Sequence, residues 1–131
     1  MADEIKASLT LSVENGNFSD RFAAANVKAN QATQAGAAGV VTVGTAVQTL
    51  SLGHVTTAGY AAFRNLSTLT SGTHAIFIGT YDGTNSQEVA KLQRGMAAVL
   101  PLVPTITLGL RAVISTQFTA AARLQYLVLS E

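Results

Sequence analysis

Apolar and polar side chains alternate strictly along the first segment of the chain. The apolar side chains fall at every second position from Ile5 to Val13, and the positions between them hold lysine, serine or threonine. A period of two residues predicts a β-strand that buries one of its two faces. An Asn-Gly pair at Asn15 and Gly16 follows, and this pair favours the tight turn of a β-hairpin.

Segments with high β-propensity recur along the rest of the chain, and glycine, asparagine or aspartate residues separate them. The Asp-Gly pair at Asp82 and Gly83 is a second turn signal. Residues 34–41 (QAGAAGVV) have small side chains and are expected to form a loop. The remaining predicted strands cover residues 21–33, 40–53, 59–66, 74–81, 88–93, 95–102, 106–115 and 122–130.

The spacing of these strands predicts the fold class. No segment carries the wide apolar stripe of a long amphipathic helix. Many short strands separated by turn residues are typical of an all-β sandwich or barrel, here of about eight strands. At 131 residues the chain is expected to form one β-sandwich domain over residues 1–131, in which residues 1–4 are an extended N-terminal segment.

The chain is unusually poor in charge. Charged residues make up 11% of it, whereas an average soluble domain contains about 25%. The net charge is +1 and the basic residues are scattered, so a nucleic-acid partner is not expected. Depletion of charge is typical of interface cores. The composition therefore favours a surface covered by another copy or another protein, and the alternative is a small neutral β-domain that stays in solution alone.

Candidate catalytic and metal-binding residues are few. The chain has no cysteine, which excludes a disulfide framework and a thiolate metal site. His54 and His74 lie away from any Gly-x-Ser-x-Gly motif and any acidic cluster, so neither a hydrolase triad nor a zinc site is expected. There is no tryptophan, and the three tyrosines are scattered. We expect no enzymatic activity, no cofactor and no metal.

No targeting or membrane-spanning segment is expected either. The N-terminus opens with acidic residues and lacks the basic and apolar regions of a secretory signal. The most apolar run, residues 95–110, is interrupted by Pro101 and Pro104 and is too short to be a convincing span. A membrane partner is therefore not expected.

Arginine residues supply the candidate interface positions, because the planar guanidinium makes directional hydrogen bonds and is favoured at interfaces. No acid occurs between Glu88 and Glu131, so some arginines are expected to pair with carboxylates of a neighbouring chain. They could instead be exposed, or pair with Asp20, Asp82 or Glu88 across the fold. The candidates are Arg64, Arg94, Arg111 and Arg123.

Arg64 stands out because it is the sole charged residue between Ala29 and Tyr81. Side chains alternate along a strand, so Phe63 is expected to point into the core and Arg64 to lie on the outer face or at the sheet margin. A guanidinium there is either solvated or held by carbonyls, by a distant acid of this chain or by an acid of a partner, and the uncharged surroundings favour the last two.

Four segments together resemble a known family. They are LTLSVENGNFSDRF, GTAVQTLSLGHVTTAGYAAFRNLS, LQRGMAAVLPL and the closing AARLQYLVLSE. In their order they resemble the small virion structural proteins of tailed bacteriophages. The motif positions are a Leu-Gly turn, a Gly-Tyr-x-x-Phe-Arg-Asn-Leu strand and a basic-glycine turn, namely Leu52, Gly53, Gly59, Tyr60, Phe63, Arg64, Asn65, Leu66, Arg94 and Gly95.

The resemblance implies a jelly-roll-like β-sandwich that decorates or cements the capsid shell. The implied partners are the major capsid protein and further copies of the chain, as a dimer or trimer, and the implied location is the outer capsid surface after synthesis in the host cytoplasm. One departure is that Arg64-Asn65-Leu66 continues into STLTSGTH, which holds no acid that could pair with Arg64 locally. The alternative role is a receptor- or glycan-binding module of the virion.

Overall fold

The computed structural model describes residues 5–29, 31, 35–67, 74–114 and 122–130, and within these ranges the regular structure consists of β-strands. The predicted extended segment at residues 1–4 lies outside them. The all-β prediction is confirmed, with ten strands in the described ranges where about eight were expected. They are β1 (Ile5–Asn15), β2 (Phe18–Ala29), β3 (Gly36–Val43), β4 (Gln48–Thr49), β5 (Ala58–Asn65), β6 (His74–Tyr81), β7 (Ser86–Leu92), β8 (Ala97–Pro101), β9 (Leu108–Ile114) and β10 (Ala122–Ser130).

The strands form three antiparallel sheets. Strands β1 and β2 make a two-stranded hairpin, while the other eight form two four-stranded sheets in the orders β3-β10-β5-β8 and β4-β9-β6-β7. The pairing of these eight is nested, because β6 pairs with β7, β5 with β8, β4 with β9 and β3 with β10. The chain therefore folds as one long hairpin whose successive pairs alternate between the two sheets.

The hydrophobic core lies between the two four-stranded sheets, in a β-sandwich-like arrangement. Phe63, Leu124 and Val128 contribute from the first sheet, and Ile76 and Leu110 contribute from the second. All five are at most 2% exposed. Burying a side chain of this size is worth about 1.5–3 kcal/mol relative to leaving it in water, so these strands are held by their inward faces.

A buried asparagine joins the two sheets at one end. The Asn65 side-chain amide donates to the backbone oxygens of His74 at 2.7 Å and Leu92 at 3.0 Å, and its side-chain oxygen accepts from the Ser67 amide at 3.0 Å. Its main chain pairs with the turn before β8, through Gly95 N–H to Asn65 O at 3.1 Å. The Asn65 of the Arg-Asn-Leu motif is therefore a structural residue inside the sandwich.

The predicted loop at residues 34–41 is wrong over most of its length, since β3 begins at Gly36. Strand β3 pairs with β10 from Gly36↔Leu129 to Val43↔Ala122, and this long-range ladder overrides the weak local β-propensity of the small residues. A Cβ atom on Gly39 would lie 3.3 Å from the Tyr126 hydroxyl, so the small residue makes room for this ring. The predicted 40–53 strand is interrupted between β3 and β4.

Candidate interaction site

The β1–β2 hairpin, called the arm below, is the most exposed part of the described structure. Its register runs from Ile5↔Ala29 to Asn15↔Phe18, with one irregularity beyond Ala7. Gly16 forms the turn with a φ of 59°, a conformation that favours glycine, as the Asn-Gly pair predicts. Among the described strands, β1 and β2 are hydrogen-bonded only to each other. The arm is thus attached to the sandwich without extending either of its sheets.

One face of the arm is apolar and open. Register places Leu11 opposite Phe22 and Val13 opposite Asp20, with Phe18 beside the turn. Leu11, Phe18 and Phe22 are 73%, 61% and 62% exposed. The prediction that this strand buries a face is wrong beyond its base, because nothing in the described structure covers that face. The side chains surround a depression of about 400 Å³.

Asp20 is the acidic residue on this apolar face. It lies opposite Val13, and alternation along the strands places Glu14 and Arg21 on the other face, although Arg21 also lines the depression. One Asp20 carboxylate oxygen accepts a hydrogen bond of 2.7 Å from the Arg21 backbone amide. The open face of the arm therefore combines large apolar side chains with the Asp20 carboxylate.

A groove of about 510 Å³ lies on the outer face of the β3-β10-β5-β8 sheet. Strand register arranges its floor in two rows, since Arg64 lies beside Gln125 and Ala97, and Ala62 lies beside Leu127 and Val99. The groove exists because outward positions on three of the four strands carry only a methyl group. These positions are Ala38, Ala62 and Ala97.

Arg64 lies in this groove and is the charged residue among those that line it. Phe63 is 2% exposed whereas Arg64 is exposed, which confirms that the two side chains point to opposite faces of β5. Within the described ranges, no side-chain hydrogen bond or ion pair joins Arg64 to another residue. The expected pairing of Arg64 with an acid of its own chain is therefore not found in that part of the chain.

The base of the arm and the groove share the same sheet face. A smaller depression of about 240 Å³ lies between the start of β1, from Ile5 to Ser8, and the outward side chains of Tyr60 and Leu129. Ala62, Val99 and Leu127 line both this depression and the groove. The groove therefore begins next to the base of the arm, on the same face of the sheet.

The four candidate arginines are not brought together. Arg123 lies on the same outer face as Arg64, beside Thr42 and outside the groove lining. Arg94 is exposed in the turn before β8, where Gly95 has a φ of 74°. Arg111 lies on the outer face of the other sheet. Arg64 and Arg123 thus share one outer sheet face, whereas Arg94 and Arg111 lie elsewhere on the sandwich.

Arg111 has an acid within its own chain. Its Nη2 atom lies 2.7 Å from Glu88 Oε1, and its Nε donates to the same oxygen at 2.8 Å. Its guanidinium carbon also lies 4.8 Å from the centre of the Phe77 ring. Of the alternatives that the sequence left open, pairing with Glu88 across the fold is the one found for this arginine.

The histidines lie in different surroundings. His54 is exposed in a turn, and His74 is buried at the start of β6. In the described part of the chain, no three acidic or histidine side chains are grouped so that they could hold a metal ion. The regular structure in the described ranges is all strand, so these ranges contain no helix long and apolar enough to cross a membrane. The described geometry thus offers two open apolar surfaces, the arm with the Asp20 carboxylate and the groove with the Arg64 guanidinium.

Sequence reasoning identified Arg64 but missed the arm and Asp20. The local signal for the arm was present, because alternation on β1, an Asn-Gly turn and two phenylalanines on β2 describe a hairpin with one apolar face. No protein-family model, curated protein or solved structure matches the chain at a significant level, so the site rests on its own geometry.

Proposed function

We propose that this chain is a virion structural protein of a tailed bacteriophage, which binds the outer surface of the capsid and stabilises the shell of major capsid subunits. Two lines of reasoning support the proposal. One is the resemblance of four sequence segments to small virion proteins of this kind. The other, which carries most weight, is the arm, because its apolar face is incomplete without another molecule.

The exposed side chains of the arm form one cluster of large apolar groups, which favours an interaction site. Contiguous apolar patches on soluble monomers are small, and larger ones mark interaction sites. Leu11, Phe18 and Phe22 each expose more than half of their surface. Aromatic residues with few charges around them are typical of interface cores. An assembly-forming role explains both the arm and the low charge content.

The nested strand pairing supports a jelly-roll-like fold, which is part of the proposal. In a jelly roll, eight strands form two four-stranded sheets, and a long antiparallel hairpin is wrapped so that its pairs fall alternately in each. Strands β3 to β10 have this order, from the outermost pair β3–β10 to the innermost pair β6–β7. The arm then precedes the first strand of the roll.

The proposed mechanism is additive and involves no chemical step. A protein that binds assembled subunits, and not separated ones, stabilises the shell by mass action. Modest contacts become effective when one particle carries many copies, because linked sites raise the effective concentration. In this role the charge-poor surface lowers the cost of desolvation at each contact.

The experiment that tests the proposal uses particles of the phage that encodes this sequence. Mass spectrometry of purified virions is expected to find the chain in many copies per particle. Particles stripped of the protein are expected to remain closed but to open at a lower temperature, and adding the protein back is expected to restore their heat resistance. Equal melting of stripped and complete particles would overturn the cement role.

A glycan array with the isolated protein distinguishes the proposed capsid role from the alternative role of a receptor- or glycan-binding module. A virion receptor-binding module is expected to bind defined glycans without any capsid, whereas a cement protein is expected to bind capsids and no glycan. Specific glycan binding together with absent capsid binding would replace the proposed function.

A further inference from the structure

We propose that the arm of one copy docks into the groove of a second copy, with Asp20 of the arm beside Arg64 of the groove. This inference concerns self-association of the isolated chain and does not depend on the capsid role. A second copy of the chain is the molecule that covers the arm's apolar face, and the Asp20 carboxylate is the partner of Arg64.

Within one chain the arm tip does not cover the groove. Leu11, Phe18 and Phe22 would lose their exposure if they lay on the sheet, yet each remains more than 60% exposed. The groove is open at the same time and is lined in part by Val40 and Leu127, which are 54% and 41% exposed. One molecule thus carries an uncovered apolar projection and an uncovered apolar depression.

The two features match in size. The open part of the arm extends over five residues on each strand, 11–15 and 18–22, which is about 14 Å at the rise of a β-strand. The groove crosses four strands, and three inter-strand spacings also give about 14 Å. The methyl groups of Ala38, Ala62 and Ala97 leave the depth that phenylalanine rings need.

The charges match as well. Burying an unpaired carboxylate or guanidinium is costly, so an apolar surface with a lone charge selects a partner with the opposite lone charge. Asp20 is the acid on the open arm face, and Arg64 is the cation among the residues that line the groove. Arg21, the neighbouring cation, also lines the depression on the arm, but alternation directs its side chain to the opposite face.

The buried area suits a reciprocal exchange. Phenylalanine side chains at about 60% exposure each offer on the order of 100 Å² of apolar surface, since a whole ring buries about 150–250 Å². Together with Leu11 and Val13 the arm offers roughly 400–500 Å² on this scale. If each copy gives its arm and receives one, the two arms together bury roughly 800–1,000 Å², and the surfaces of the two grooves add to this, which approaches the lower end of about 1,200 Å² for a standard interface.

A charge-reversal experiment on the isolated protein tests the pairing. Sedimentation velocity is expected to show that the unaltered chain self-associates, and that Asp20→Arg and Arg64→Asp each weaken association at least tenfold, since each buries like charges together. The double variant Asp20→Arg/Arg64→Asp is expected to recover most of the lost affinity. Glu14→Arg, on the other arm face, and Arg123→Asp, outside the groove, are the matched controls and are expected to change little.

Two results would overturn the inference. One is a monomeric unaltered chain, and the other is a double variant that associates no better than its parents. Circular dichroism of each variant verifies that it is folded, as expected for substitutions at exposed positions. These measurements contain no capsid. Self-association can therefore be absent in a protein that stabilises shells, and it can be present in a protein that does not.

Cross-linking tests the geometry directly, because the chain contains no cysteine of its own. Two single-cysteine variants are mixed and oxidised. One carries Asp20→Cys, and the other carries Arg64→Cys and a tag that gives it a different mass. A disulfide-linked band of the mixed mass is expected, whereas Glu14→Cys mixed with Arg64→Cys is expected to give none. Equal yields from the two mixtures would contradict the proposed docking.

Discussion

The side-chain amide of Asn65 donates to the backbone oxygen of His74 at 2.7 Å and thereby ties β5 of one sheet to β6 of the other. The same amide reaches Leu92 O at the end of β7. Since Asn65 is fully buried, water cannot replace these contacts. A single side chain thus closes one end of the sandwich.

Replacing Asn65 with alanine is therefore expected to lower the free energy of unfolding by about 3 kcal/mol. Two buried carbonyl oxygens lose their donor, and each such loss costs about 1–3 kcal/mol. Urea denaturation monitored by circular dichroism measures the change. Gln87→Ala, at an exposed position of β7, is the control and is expected to cost less than about 0.5 kcal/mol. Equal effects of the two substitutions would contradict the structural role of Asn65.

Gly79 is expected to tolerate no side chain. A Cβ atom there would collide with the Gln87 carbonyl and lie 2.7 Å from the Glu88 Cα, both of which are backbone atoms at the irregularity between β6 and β7. Gly79→Ala should therefore destabilise the fold by about 1–3 kcal/mol or prevent folding. Gly44→Ala is the control, because its nearest neighbour would be the Gln48 Oε1 atom at 4.0 Å. Thermal melting of both variants distinguishes them.

Arg111 and Arg64 are expected to respond differently to truncation. Arg111 pairs with Glu88 and lies over Phe77, so Arg111→Ala should lower the free energy of unfolding by up to about 1 kcal/mol, less at high salt. Arg64→Ala should leave the unfolding of the monomer nearly unchanged but weaken self-association or shell binding at least tenfold. Denaturation and sedimentation of both variants, with Arg123→Ala as the control, give the comparison. The reverse pattern would contradict the assignment.

Asp82 is expected to make stability depend on acid pH. Hydrogen bonds from the Asn85 and Thr84 backbone amides lower the pKa of its carboxyl group below the usual 3.8. A lowered pKa in the folded state means that the stabilisation is present above about 3.8 and is lost as the pH falls through the lower folded value. The stability difference between the unaltered chain and Asp82→Asn should therefore shrink from pH 5 towards pH 2. A difference that stays constant would refute this origin.

The exposed arm side chains are expected to contribute little to the stability of the sandwich. At concentrations where the chain is monomeric, the triple variant Leu11→Ser/Phe18→Ser/Phe22→Ser should melt close to the unaltered chain but bind less of a hydrophobic dye, because these positions are open in the single chain. Leu124→Ala, in the core, should instead cost about 2–5 kcal/mol. A large loss of stability in the triple variant would mean that the arm packs on its own sandwich.

Local patterns in the sequence predicted most of the strands. β6 and β10 have the predicted bounds, 74–81 and 122–130, since turn residues or polar residues mark their ends. Alternation also placed Phe63 inward and Arg64 outward. These features depend on the period of a strand, which neighbouring residues determine.

The arm and the groove depend on long-range arrangement, which single segments do not encode. The alternation on β1 predicts a strand with an apolar face, but whether that face is covered depends on what lies across from it. The groove arises from Ala38, Ala62 and Ala97, which are distant in sequence and become neighbours only through the register of β10 and β5. For the same reason the small residues at 36–41 are locally typical of a loop, although they pair with β10.

The order in which the chain is synthesised gives the nested pairing a further consequence. The arm leaves the ribosome early, and β10, which forms the middle of the groove floor, is the last described strand to be made. β6 and β7 can pair across a short turn as soon as both have been made. β3 cannot pair until β10, its partner, has been made. A nascent arm therefore emerges before the groove of its own chain exists, and a copy can receive an arm only after its β10 has been made and paired.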